Sequence, residues 1–396
     1  MNIFDNIQNV GKAVIIGGSN GIGLAIAKNL IEKGYHTLIL DRDEPDPSLD
    51  HTHSTFLYCD LLDLDEHLIC ETAADPDVKL LMITAGFGRV AAFDFLHPAE
   101  IQNLLTVNTV SAIKIIRYFY DRIRGEEPFY CGVMGSIAGM MSSPLFSVYA
   151  ASKAAIFRFV ESVNIELEVS ESPNRILDCS PGSIKGTRFN GTGQDFSLVQ
   201  DLAEAIVRKL MDPTELYIPD IDVYGPVLEQ YYADPHAYGL HSYDYKMHSG
   251  RIFNENRVQI GYLSGTFDLF HVGHLNLIRR AKQHCDYLIV GIHPDASHKG
   301  KETFIPFEER KQIVGACRYV DRVVGSCPED CDAWNLYHFN KLFVGSDYKG
   351  TPRFQRYEEF FQGKGVEIIY FPYTQSTSST QIRKTILEKT NDINPK

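Results

Sequence analysis

Short, continuous apolar runs closed by glycine or a polar residue recur along the chain, separated by stretches in which apolar residues repeat at helical spacing. The first run is Ala13-Val14-Ile15-Ile16. It is followed by HTLIL ending at Asp41, FLYCD ending at Asp60, KLLMITAG ending at Gly86, YCGVMGS ending at Ser136 and RILDCSPG ending at Gly182. Uninterrupted apolar runs of this length mark strands buried on both faces, as in a parallel sheet covered by helices. Between the first two, Ile22, Ile26 and Leu30 share one helical face while Lys28, Asn29, Glu32 and Lys33 take the other, and Gly34 is placed to end the helix. From residue 257 the alternation starts afresh, with VQIGYLSGTFD, YLIVGIHP, YVDRVVG, KLFVGSD and VEIIYFPY reading as strands. The pattern predicts two α/β units: a doubly wound parallel sheet over residues 1–225 and a smaller one over 257–396. Residues 226–256 show neither period clearly and are rich in Tyr and His. They are expected to form an aromatic connector packed on one or both units, since a flexible linker would carry more Gly and Ser.

Composition narrows the partners. At 396 residues the chain has room for two cores, and a net charge of −13 argues against nucleic acid, whose phosphates need clustered Lys and Arg. No apolar run reaches the roughly 18–20 residues of a membrane span, and the first residues lack the cationic start and cleavage site of a signal peptide. Eight scattered cysteines, with only Cys327 and Cys331 close together, read as reduced thiols of a cytoplasmic protein. His236, His241 and His248 lack the spacing and carboxylate partners of a metal site, so no protein-held metal is expected.

The chemistry begins at Gly17-Gly18-Ser19-Asn20-Gly21-Ile22-Gly23, between the first strand and the first helix. Glycine lets the backbone approach a pyrophosphate, and the helix N-terminus favours its charge. Asp41, about 20 residues on, can accept hydrogen bonds from both ribose hydroxyls and would repel a 2′-phosphate, which favours NAD(H) over NADP(H). Arg42 next to it would instead pair with that phosphate. Tyr149 and Lys153 lie four apart on a predicted helix and share a face; an ammonium there would lower the phenol's pKa from its usual value near 10.

With these residues in register, the first half resembles the short-chain dehydrogenase/reductase family. The resemblance implies a Rossmann sheet and a catalytic tetrad. Ser136 would bond the substrate oxygen, Tyr149 exchange the proton, Lys153 hold the nicotinamide ribose, and Asn108 order a relay water. Cofactor contacts are expected from Gly17, Ser19, Asn20, Gly21, Ile22, Gly23, Asp41, Asp60, Leu61, Ala85, Gly86, Pro181, Gly182 and Ile184. Two departures stand out. The family's Asn-Asn-Ala-Gly reads Ile83-Thr84-Ala85-Gly86, and the threonine after Pro181-Gly182 comes one residue late, at Thr187. The short segment after Gly182 favours a small polar substrate.

In the second half, His271-Val272-Gly273-His274 opens a predicted helix, where free amides and the helix dipole favour phosphate. GTFDLFHVGH and HKGKETFIPFEERKQIV are similar to the cytidylyltransferase family, closest to the glycerol-3-phosphate enzymes. This implies a Rossmann-like nucleotidyltransferase domain. Nucleotide contacts would come from Gly265, Thr266, Phe267, His271, His274, Lys299, Lys301, Arg310, Ser378, Ser379 and Thr380, with His271 and His274 as the catalytic pair and Mg²⁺ on the leaving pyrophosphate. CTP rather than ATP rests on that closeness alone, since adenylyltransferases use the same histidine loop. Relatives carry an arginine where this chain has Tyr373, an acid where it has Gln375, and a GDDW-type sequence in place of GSDYKG.

Together the halves imply a bifunctional enzyme that reduces a small phosphorylated ketose or aldehyde with NAD(P)H. CMP would then pass from CTP to the resulting alditol phosphate, giving a CDP-alditol of the CDP-ribitol or CDP-glycerol type. Alternatives are a scaffolding or metabolically unrelated reductase half, or a phosphonoaldehyde route. Both families commonly form homo-oligomers, so a dimer or tetramer is expected.

Overall fold

The computed structural model describes residues 10–187, 189, 195–249, 259–295 and 302–372. The chain divides into two compact units, Met1–Glu255 and Asn256–Lys396.

In the first unit, β1 (Gly11–Ile16), β2 (Tyr35–Asp41), β3 (Ser54–Tyr58), β4 (Val78–Ile83), β5 (Tyr130–Met134), β6 (Ile176–Cys179) and the two-residue β7 (Leu216–Tyr217) form one sheet in the order β3-β2-β1-β4-β5-β6-β7. Every pairing is parallel. Strand alternation splits the core in two. Val14 and Ile16 face a cluster with α2 (Glu66–Ala74), α4 (Ser111–Arg124) and α5 (Ser147–Val169), while Ala13 and Ile15 face α1 (Gly21–Glu32) and α6 (Gln200–Leu210). Burial on both faces explains the uninterrupted apolar strands. Because β1 pairs with β2 on one side and β4 on the other, the carboxyl ends of β1 and β4 flank the switch point of the sheet, where such folds bind ligands.

The stretch expected to be an irregular connector is largely helical. α7 (Ile221–Ala233) runs into α8 (Pro235–His248), and both lie in the first unit. Asp234 caps α8 through the His236 and Ala237 amides. Tyr231 and Tyr238 pack edge to face between the two helices, 5.7 Å between ring centres. Pro226 and many Tyr, His and Gly residues weaken local helix propensity and blur the apolar stripe.

The second unit is a five-stranded parallel sheet, β10-β9-β8-β11-β12, built from β8 (Ile260–Gly265), β9 (Tyr287–Ile292), β10 (Arg322–Gly325), β11 (Lys341–Gly345) and β12 (Glu367–Phe371). One core cluster joins Leu263, Val290 and Ile292 to Ile278 and Ala281 of α9 (Val272–Gln283) and Val314 of α10 (Phe307–Gly315). Tyr262 stacks on Phe339, 4.9 Å between ring centres. The order turns at β8, so the histidine loop leaves the carboxyl end of the central strand. Among the described residues no helix is long and apolar enough to cross a membrane.

Candidate functional site

At the first switch point the glycine turn is forced against the end of β4. Gly17 has φ +86°, and a Cβ there would lie 2.5 Å from the Ala85 amide nitrogen; a Cβ at Gly23 would lie 2.2 Å from the Gly17 carbonyl oxygen. Only glycine fits either place. The Thr84 hydroxyl donates to the carbonyls of Ile16 and Gly17, both at 3.0 Å. Thr84 thus stitches the turn to β4, even though the expected pair of amides is absent. Asn20 enters α1 with no side-chain cap, leaving the first amides of the helix open to an anion. Ser19 is buried, its hydroxyl donating to the Asp43 carbonyl, and Ile22 packs on the core.

Asp41 ends β2 and accepts from the Ser19, Arg42 and Asp43 amides. Its carboxylate is thereby fixed beside the turn, with lone pairs left for hydroxyl donors. Asp60 accepts from the Leu62 amide, and the buried Leu61 offers its carbonyl to Ser111.

Four catalytic candidates converge where β4 and β5 end. A Cβ at Gly86 would meet Asn108 Oδ1 at 3.2 Å and Lys153 Nζ at 3.3 Å, so this glycine sits between them. Asn108 lies in a π-helical turn, Thr106–Val110, a local widening that recurs at functional sites. Its amide grips Phe87 from both sides, accepting from Phe87 N and donating to Phe87 O, and also donates to Ser152. The side chain expected to order a water is therefore occupied in clamping the β4 loop to α5. Ser136, Tyr149 and Lys153 are all buried, and the Lys153 ammonium donates to the Met134 carbonyl at 2.7 Å.

The electrostatics correct one expectation. Burial pushes the Tyr149 phenol up to about 12, only partly offset by a hydrogen bond to Ser136. Lys153 does not lower it, because its Nζ lies 5.8 Å from the ring centre with its contact directed to Met134. Burial brings Lys153 down to about 8, opposed by the charge of Asp178. Asp178 is itself buried and held up at about 6; it accepts from Ser180, and its Oδ1 would lie 2.1 Å from a Cβ at Gly135. Nothing in the sequence pattern singled it out. A charged residue at a core position of β6 was the available signal.

On the substrate side, the Pro181 carbonyl accepts from Ser136 and from the Ile137 amide. Tyr224 of α7 covers Gly182, where a Cβ would fall 2.0 Å from the ring, and its hydroxyl accepts from the Ser183 amide. Ile184 packs on the α6 side of the core. Thr187 is buried beside Gly21, 3.8 Å from a Cβ placed there, so the shifted threonine still reaches the glycine turn.

In the second unit, Gly265 leads into a loop with Phe267 and Leu269 at φ +51° and +48°. Left-handed backbone at non-glycine residues costs of order 1–2 kcal/mol each. Two buried residues hold it. Asp268 accepts from the Phe304 and Ile305 amides. Arg310, fully buried, donates to the carbonyls of Thr266, His293, Pro294 and Ile305. Arg310 was expected to meet nucleotide phosphates. Its guanidinium is committed to the backbone instead, so it braces the loop. His271 caps α9, its Nδ1 accepting from the Gly273 amide, and its ring stacks on His274 at 3.9 Å. Accepting at Nδ1 makes Nε2 the proton-bearing nitrogen, and burial pushes the imidazole's pKa down. Lys299, Lys301, Ser378, Ser379 and Thr380 lie outside the described residues. Among those described, no group of three His, Cys, Asp or Glu side chains would hold a metal.

Comparison with known proteins agrees with this geometry. Residues 11–195 match the family model for short chain dehydrogenase, and residues 262–385 match the cytidylyltransferase-like model. The glycerol-3-phosphate cytidylyltransferase of Bacillus subtilis is 36% identical over 126 residues, 31% of this chain and 92% of that protein. An uncharacterized oxidoreductase of Saccharomyces cerevisiae is 28% identical over 210 residues, 50% of this chain and 64% of its own length. A solved short chain dehydrogenase from Burkholderia cenocepacia J2315, in complex with NADP, shares the fold with TM-score 0.50 and 19% identity, covering 59% of this chain and 97% of that one. With a glycine turn and buried tyrosine–lysine pair in one unit and a histidine loop in the other, the second half of the chain belongs to the cytidylyltransferases, and the first half matches the short chain dehydrogenase model, so the chain is an enzyme that joins an oxidoreductase-type unit to a nucleotidyltransferase-type one.

Proposed function

We propose that the first unit reduces a small phosphorylated ketose or aldehyde and that the second transfers CMP from CTP to the alditol phosphate so formed, releasing pyrophosphate. The observation that supports the reduction is the convergence of three buried residues, Tyr149 and Lys153 one turn apart on α5 and Ser136 at the end of β5. A phenol held near 12 is a proton donor at neutral pH, the form that carbonyl reduction requires. When bound, a nicotinamide cofactor supplies the hydride; Gly17, Gly23 and the uncapped start of α1 fit its pyrophosphate. Ser136 and Tyr149 hold the carbonyl oxygen and Tyr149 gives it a proton, while Lys153 would hold the nicotinamide ribose. Asp41 supports NAD(H), because a fixed carboxylate receives two ribose hydroxyls and repels a 2′-phosphate.

For the transfer, Nε2–H of His271 and the ring of His274 support the α-phosphate while the acceptor's phosphate oxygen attacks phosphorus in line and pyrophosphate leaves. The acceptor class and CTP follow from likeness to a glycerol-3-phosphate cytidylyltransferase. Any Mg²⁺ would be held chiefly by the substrate's own phosphates and water. Eight free cysteines fit a reducing compartment such as the cytoplasm.

The test is a screen of alditol and glycerol phosphates for CTP-dependent pyrophosphate release, followed by oxidation of each hit with NAD and NADP. One polyol phosphate should serve both halves, and Tyr149→Phe should abolish only the redox step. If no compound accepted by the transferase is oxidised by the reductase, consecutive chemistry is wrong.

A further inference from the structure

The loop between Ser136 and Tyr149 carries a second polar cluster that the catalytic groups do not use. On α8, Tyr238, Ser242 and Lys246 are spaced four apart and share one face. That face packs on Met140–Ser143: the Tyr238 hydroxyl meets Met141 Sδ at 2.8 Å, and a Cβ on Gly239 would sit 3.6 Å from Ser142 Oγ. The Lys246 ammonium donates to Ser143 Oγ and Ser242 Oγ, both at 2.9 Å, and Ser242 is buried. No carboxylate pairs with Lys246 among the described residues. The ammonium is partly withdrawn from water with only two neutral hydroxyls around it. A charge so placed gains most from an anion.

The cluster also adjoins the catalytic tyrosine. The Ser143 carbonyl accepts from the Phe146 amide, closing a turn that keeps the two Cα atoms within about 7 Å. Phe146 stacks on Tyr149 with ring centres 4.2 Å apart.

The geometry points to Lys246, Ser143 and Ser242 as the subsite that receives the phosphate of the reductase substrate. This rests on the proposed reduction of a phosphorylated carbonyl and assigns the residues that select it. The two hydroxyls turn from acceptors of the ammonium to donors toward phosphate oxygens, and the ammonium supplies the charge. Ser143, on the catalytic loop, fixes how far the phosphate sits from Tyr149.

Inorganic phosphate is the direct probe, because it needs no knowledge of the substrate. Burial brings Lys246 down to about 8, so its neutral amine is well populated at mildly alkaline pH and reacts with acetic anhydride. Residue-resolved mass spectrometry of the full chain should show phosphate slowing Lys246 acetylation roughly tenfold while exposed lysines are untouched, with the protection weakened in Ser143→Ala. Unchanged Lys246 reactivity at saturating phosphate would overturn the subsite. In turnover, Lys246→Gln should raise KM for a phosphorylated carbonyl roughly tenfold or more, leave kcat within about threefold, and leave the matching unphosphorylated carbonyl unaffected. Equal effects on both members of such a pair would mean a structural role and refute the assignment. Protection by phosphate with no turnover of any phosphorylated carbonyl would keep the anion site and sink the reduction reading; turnover without protection would do the reverse.

Discussion

Asp178 offers a quantitative test of the electrostatics around the catalytic lysine. Its carboxyl is buried in β6 and held at about 6 against an ordinary 3.8, because burial outweighs the Ser180 hydrogen bond and the Lys153 charge. A raised carboxyl contributes stability that is present below the unfolded value and lost as pH rises through the folded one. The whole shift corresponds to about 3 kcal/mol, of which about 1.4 kcal/mol is lost between pH 5 and pH 7.5. Asp178→Asn removes the titration and keeps an acceptor for Ser180. The variant should therefore gain about 1.4 kcal/mol on the parent between those two pH values, roughly 3–6 °C in the melting of a unit this size. Far-UV circular dichroism reads that transition. The protein's one tryptophan, Trp334, lies in the second unit, so its fluorescence melt should stay in place as an internal control. Parallel pH profiles for parent and variant would refute the reasoning.

The same substitution removes the charge that opposes the fall in the Lys153 pKa, so the alkaline limb of the reductase rate profile should move to lower pH; an unmoved limb would disconnect Asp178 from Lys153. Arg310→Met leaves four part-buried carbonyls without their guanidinium and should cost the second unit about 1–3 kcal/mol, read as an earlier Trp334 fluorescence transition in urea; lost transferase activity at unchanged stability would restore Arg310 as a phosphate ligand. Gly17→Ala forces a Cβ to within 2.5 Å of the Ala85 amide at φ +86°, and should weaken cofactor binding more than about tenfold by fluorescence titration, with pyrophosphate release unchanged. His271→Ala should slow CTP-dependent pyrophosphate release by about 10²-fold or more while carbonyl reduction proceeds normally, a split that a shared site would not give.

Much of the architecture was legible in the chain because the signals are local. Val14 and Ile16, alternating with Ala13 and Ile15, are all apolar since both faces of β1 are covered, and Gly34 stops α1 where a left-handed residue is needed. The site was legible for the same reason: Tyr149 and Lys153 are one helical turn apart, and His271 and His274 share the first turn of α9. Helices α7 and α8 were less legible, since Pro226, Gly225 and Gly239 argue locally against them.

What the sequence determined alone is the order of elements and the positions of the candidate reactive groups along them, because periodicity and spacing depend only on neighbours along one strand or helix. Tertiary structure decided the energetics of those groups. Burial raises Tyr149 instead of letting Lys153 lower it, Asp178 comes beside Lys153 from a separate strand, and the carbonyls of Thr266, His293 and Pro294 capture Arg310 from other parts of the chain. Thr84 replaces missing amides by reaching across to β1, and Lys246 reaches Ser143 across 103 residues of chain. Desolvation and hydrogen-bond partners are properties of three-dimensional surroundings, and no reading along the chain supplies them.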